Sequence, residues 1–399
     1  MTTDVQDTVH AVDAASVLGL LPARPRILAL GEPTHGEDVL LDVRNDLFRQ
    51  LVEREGYRTI AIESDCLMGL AVDDYVTSGT GTLDEVMARG FSHGLGASVA
   101  NRELVSWMRA YNDGRPASER VRFAGVDGPL EITAAASPRQ ALTALHAYLA
   151  ARVDAGLLPC TAEALDLLLG ADDRWTNPAA MRDPSQSVGQ TPEAGELRLL
   201  ADDLVALLDA QTPRLMAASV RDEWDRARMD GRTATGLLRY HRWMADTSPS
   251  RMAQLLGQRS SMMAANLRAL AERGPTLVHA HNGHLQRASS SMRMDGLPVA
   301  WWSAGAIINA WLGEEYAFLA TALGTIRHHG VLTPPPDTIE GLLYALPEDR
   351  YVVDARRLAG TLGDVTPRVS PWFGYAPLDP AHLSGIDGLV FVKEAPAKA

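Results

Sequence analysis

Short apolar runs bounded by turn residues recur along this chain. They stand at 27–30 (ILAL), 59–62 (TIAI), 121–126 (VRFAGV) and 276–279 (TLVH), then at 298–302 (PVAWW), 351–353 (YVV) and 389–392 (LVFV). Each is short and bounded in the way expected of a strand. Continuous apolar strands separated by helical patterns predict a parallel sheet covered on both faces. From about residue 137 to 273 the texture changes to leucines at helical spacing, as in Leu142, Leu145 and Leu149, or Leu197, Leu200, Leu204, Leu207 and Leu208. Residues 172–192, rich in Pro, Ser, Asn and Asp, interrupt that pattern as a predicted loop. The expected fold class is therefore α/β, a mostly parallel central sheet flanked by helices. A helical subdomain over 137–273 is expected to cover the active-site edge, between two parts of the α/β core at 1–136 and 274–399. Residues 393–399 are expected to fray.

Polar groups gather where these strands end. The first runs into Gly31-Glu32-Pro33-Thr34-His35-Gly36, whose small residues turn the chain sharply and project Glu32 and His35 near the strand's carboxyl end. A helix follows, with Glu37 and Asp38 suited to its N-terminal dipole. Arg44 on that helix is flanked by Leu40, Leu41, Leu47 and Phe48, so its charge needs a partner. Glu63, closing the second strand, is the first candidate and Glu32 the second. The third strand ends in Asp127, and the fourth leads to His281-Asn282-Gly283-His284. Four strands delivering such groups to one edge mark a ligand site of an open α/β sheet. Glu32 with His35, and His281 with His284, have spacings that suit either a zinc or iron site or an acid–base cluster in which carboxylates fix the imidazoles. There is no G-x-G-x-x-G, no G-K-[ST] ending and no G-x-S-x-G, which disfavours a nucleotide enzyme and a serine esterase.

The bulk composition narrows the partners. Asp and Glu total 50 against 37 Lys and Arg, a net charge of −13, which argues against nucleic acid or an anionic membrane and leaves a small molecule. The 2 cysteines, Cys66 and Cys160, form no C-x-x-C pair, so neither a disulfide framework nor a structural zinc is expected. The N-terminal residues lack the pattern of a secretory signal and no apolar run approaches a membrane span, so a cytoplasmic protein is expected. The composition says nothing of oligomeric state.

Taken together these residues resemble the erythromycin esterase family. The resemblance rests on residues 30–36, Arg44, Ile62-Glu63, residues 107–112 (WMRAYN), Gly125-Val126-Asp127, Arg259 with Met263 and Asn266, and His281-Asn282-Gly283-His284. It implies an α/β core with a helical subdomain, and metal- and cofactor-independent hydrolysis in which His35 activates water. Glu32, Glu63, His281 and His284 would complete the catalytic set, with Arg44, Asp127, Arg259 and Asn282 binding substrate or supporting it from behind. The chain departs from the family's pattern at Val39, where a Glu is usual, and at Ser260, where an Asp is usual. The expected function is cleavage of a carboxylic ester or lactone of a natural product. The alternatives are a natural-product biosynthetic enzyme (cyclase, transferase or dehydratase) using the same site without net hydrolysis, and a silent small-molecule-binding protein, for which the acid–base positions would be superfluous.

Overall fold

The computed structural model describes residues 9–131, 134–294, 296–363 and 365–397. Its centre is an eight-stranded sheet of β1 (Val9–His10), β2 (Ile27–Glu32), β3 (Thr59–Asp65), β4 (Arg122–Asp127), β5 (Thr276–His281), β6 (Tyr316–Thr325), β7 (Arg350–Asp354) and β8 (Gly388–Glu394). The strands lie in the order β1-β7-β8-β6-β2-β5-β3-β4. The inner pairs β8/β6, β6/β2, β2/β5 and β5/β3 are parallel, while β7/β8 and β1/β7 are antiparallel. Every residue of β2, β3 and β6 is buried, as expected of strands covered on both faces. From β2 the chain runs to β3 and β4 on one side, returns to place β5 between β2 and β3, then crosses to β6 on the other side of β2. The carboxyl ends of β2, β5 and β3 thus lie at a reversal of strand order, where ligand crevices form in open α/β sheets.

Two compact units divide the chain. One takes in residues up to Val126, Leu267–Met292 and everything from Trp302; the other takes in Asp127–Asn266 and Arg293–Trp301. The core of the first packs Leu28, Leu30, Ile60, Ile62 and Leu277 of the sheet against Leu47, Phe48 and Leu51 of the Asp38–Glu55 helix. That helix stops where Gly56 takes a left-handed conformation at φ 72°. In the second unit the Arg221–Met244 helix packs against Arg139–Ala150 and Pro192–Ala210. Among the described residues no helix is long and apolar enough to cross a membrane.

Several elements depart from the expectations above. Residues 298–302 form a strand, Leu297–Trp302, that stands outside the central sheet. Its burial alternates, with Leu297 and Trp302 exposed, the mark of a half-exposed ribbon and not of a core strand. The central strand β6 has no counterpart among the expected runs, because its sequence YAFLATALGT is rich in the helix formers Ala and Leu; two flanking strands decide its state. Residues 172–192 carry short helical turns at Asp172–Trp175, Pro178–Met181 and Pro184–Gln186, anchored where the buried Trp175 donates to the Leu169 carbonyl. The expected tail begins inside β8: Lys393 donates its N–H to Asp349 and Ala395 donates to Thr325. Residues 398 and 399 of that tail, and residues 1–8 of the N-terminal stretch, lie outside the described residues.

Candidate active site

The turn out of β2 builds the first half of the site. Gly31 is required by contact: a Cβ there would meet Asn282 Oδ1 at 2.2 Å. Gly36 holds φ at +84°, which ends the turn in a conformation costly for other residues. Between them Glu32 is buried and His35 is 52% exposed at its side chain, their Oε1 and Nδ1 atoms 2.7 Å apart. The carboxylate therefore holds the Nδ1 proton and leaves the His35 Nε2 lone pair directed away from it.

The second half comes from the ends of β5 and β3. Register pairs Glu32 with His281 on neighbouring strands, and the rings of His35 and His281 lie 5.4 Å apart between centroids. His281 Nδ1 accepts from the Gly283 N–H at 3.2 Å. Burial first, then the neighbouring His35 and His284, push its pKa down to about 4. A neutral ring whose Nδ1 accepts must carry its proton on Nε2, so His281 presents an N–H donor. Glu63 binds this edge together. Its Oε2 accepts the His281 backbone N–H at 2.8 Å, while its Oε1 lies 3.1 Å from His284 Nε2 and 4.0 Å from His35 Nε2. Asn282 turns away from this cluster: its Nδ2 donates to the Thr321 carbonyl at 2.8 Å and its Oδ1 accepts the Thr321 N–H at 3.2 Å, tying the helical turn after β5 to β6.

Arg44 corrects one expectation. It is buried beneath the site, but its hydrogen bonds go to amide oxygens and not to Glu63: Nε and Nη2 reach Asn45 Oδ1 at 3.1 and 2.7 Å, and Nη2 reaches Asn101 Oδ1 at 2.8 Å. Glu63 is already engaged by His281 and His284. Burial lowers the Arg44 pKa to about 10, with Glu32 foremost among the charges that oppose the shift, so the guanidinium stays charged at neutral pH. His279 is a site residue that strand-end reasoning missed. It is buried, its Nε2 is 3.7 Å from Glu32 Oε2, and burial followed by the charge of Arg44 holds its pKa well below the usual histidine range. The signal was present in the strand's period: residues 279 and 281 project from the same face. Asp127 and Arg259 meet in the second unit as a partly buried bidentate pair, Nη2 to Oδ2 at 2.6 Å and Nε to Oδ1 at 3.1 Å. Cys66 is buried and Cys160 half-buried.

Comparison with known proteins shows the family and the fold. A stretch of 104 residues is 31% identical to an erythromycin esterase type II of Escherichia coli, covering 26% of this chain and 24% of that protein. The match thus spans about a quarter of the length of that relative. The fold is shared with a crystal structure of a Bacillus cereus protein (TM-score 0.74, 19% identity, 98% of this chain and 96% of that one). It is shared too with a succinoglycan biosynthesis protein (0.69, 14%, 98% and 96%) and a His-to-Asn variant of the erythromycin esterase EreC in its open conformation (0.68, 18%, 96% and 94%). The sequence profile described as erythromycin esterase matches residues 52–395, beginning downstream of Glu32, His35 and Arg44 and taking in Glu63 and the His281–His284 turn. This chain belongs to the erythromycin esterase family.

Proposed function

We propose that the chain hydrolyses a carboxylic ester or lactone of a natural product, with His35 as the general base. The observation that carries this reading is the orientation of His35: Glu32 takes one ring nitrogen at 2.7 Å, and the other lies 4.0 Å from Glu63 Oε1. A water bonded to both His35 Nε2 and Glu63 Oε1, 4.0 Å apart, would have its proton taken by Nε2 as its oxygen attacks the acyl carbon. Glu32 stabilises the imidazolium that forms. The oxyanion receives the Nε2–H of His281, whose ring is neutral near pH 7 because burial lowers its pKa to about 4. His35 then returns its proton to the alcohol oxygen as the C–O bond breaks. His279, with its Nε2 3.7 Å from Glu32 Oε2, packs behind that carboxylate.

The test uses ester and macrolactone substrates in ¹⁸O water. A hydrolase places one solvent oxygen in the acid product, and His35→Ala lowers turnover by ~10² or more, as expected on losing a general base, with the circular dichroism spectrum unchanged. Product formed without solvent oxygen would replace this reading by the cyclase, transferase or dehydratase alternative. Undiminished turnover in His35→Ala would remove the mechanism.

A further inference from the structure

A second cluster of donors lies outside the acid–base site. Glu37 caps the Asp38–Glu55 helix by position, but its side chain makes no cap hydrogen bond. The buried carboxylate instead reaches the turn after β6, with Oε1 3.0 Å from His328 Nε2 and 3.9 Å from His329 Nε2. Among the described residues these three are the group of His and carboxylate side chains that brings one ligand atom each within 4.8 Å of the others. Donors on a zinc ion at ~2.0–2.1 Å stand roughly 3.3–3.4 Å apart in a tetrahedron. The observed 3.0 and 3.9 Å separations bracket that value. The His329 ring is held in place: Trp372 stacks on it at 3.8 Å between centroids and 13° between planes. The backbone of Trp372 is tied by the Ser370 hydroxyl, which accepts its backbone N–H at 3.1 Å and donates to its backbone carbonyl at 2.7 Å. The histidine side chains are partly exposed, 24% and 39%, while Glu37 is 4% exposed. An ion can therefore enter from solvent and keep water in its remaining position.

We propose that Glu37, His328 and His329 form a binding site for a divalent transition ion of the zinc type, distinct from the catalytic cluster. Two imidazoles and one carboxylate are a suitable ligand set for such an ion. Its role is structural. It ties the turn after β6 to the start of the helix that follows His35, and contributes no group to ester hydrolysis.

Cobalt(II) is a spectroscopic probe for the site. The chelator-treated protein takes up one equivalent with the visible absorption of a low-coordinate N/O site, and its melting temperature rises on loading. Glu37→Gln and the double variant His328→Ala/His329→Ala, the latter at partly exposed positions that leave the fold intact, lose both the band and the melting shift. His35→Ala retains them. The proposal fails if wild type takes up no cobalt. It fails equally if the double variant binds cobalt as wild type does, or if His35→Ala abolishes the uptake, which would assign the ion to the acid–base cluster.

Discussion

The Arg44 guanidinium keeps its charge inside the core on two amide oxygens, those of Asn45 and Asn101. Both amides are themselves fixed. Asn45 Nδ2 donates to the Ala100 carbonyl and Asn101 Nδ2 to the Leu95 carbonyl. A hydrogen bond to a charged group contributes ~1.5–3 kcal/mol, so Asn101→Ala is expected to destabilise by about that amount. A double-mutant cycle separates the partners. Arg44→Met and Asn101→Ala should couple by ~0.5–3 kcal/mol in urea unfolding, whereas Arg44→Met and Glu63→Ala should add within ~0.5 kcal/mol. Strong coupling to Glu63 with none to Asn101 would restore the ion pair that the helix pattern first pointed to. That pairing was a reasonable inference from residue type, because a buried cation demands compensation. The sequence carries no mark of Asn101 as the compensating group, since it lies 57 residues from Arg44 and meets it only when the Val99–Asn112 helix packs beside the first.

At the scale of elements, Gly31 is where β2, β5 and β6 are locked together. The Asn282 side chain occupies the space that any Cβ at position 31 would need, and that same side chain grips Thr321 of β6 at both backbone atoms. Gly31→Ala is expected to displace Asn282, cost ~1–3 kcal/mol as overpacking does, and shift His281 one residue away. A lowered melting temperature together with a lower kcat is the expected result. An unchanged melting temperature would mean the turn relaxes without disturbing Asn282. The strands that carry Glu32, Glu63, Asp127 and His281 were legible because each is a β-rich apolar run ended by a polar group. β6 was not, although it is the longest and among the most deeply buried: alanine and leucine suit a helix as well as a strand, and only the pairing on both sides resolves them. His279 was hidden for a different reason. As the fourth residue of β5 it reads as strand interior, and the period that puts it on the face of His281 becomes informative only once β5 is seated beside β2, which brings it to Glu32.

At the scale of the whole molecule, both units bury a histidine in its neutral form, and this gives the protein a predictable acid limit. In the second unit the His241 ring has its Nε2 2.8 Å from the Ala136 carbonyl and meets Trp175 edge-on at 5.0 Å between centroids, and burial lowers its pKa to about 4. In the first, His281 is lowered to about 4 and His279 well below its ordinary value. The unfolded chain, with histidines near 6.5, binds more protons than the folded one between pH 6.5 and 4. Stability is therefore full above that window and falls as pH descends through it. For His241 the difference of roughly 2.5 pH units, at ~1.36 kcal/mol per unit, amounts to about 3 kcal/mol once pH reaches 4 and roughly 2 kcal/mol by pH 5. Urea unfolding at pH 7.5 and pH 5 on wild type and His241→Gln tests this. The variant is expected to be less stable at pH 7.5, having lost a fitted ring, yet to lose roughly 2 kcal/mol less than wild type on acidification. If the two lose stability in parallel, His241 is protonated without penalty in the fold, and the acid limit belongs to the histidines of the first unit alone.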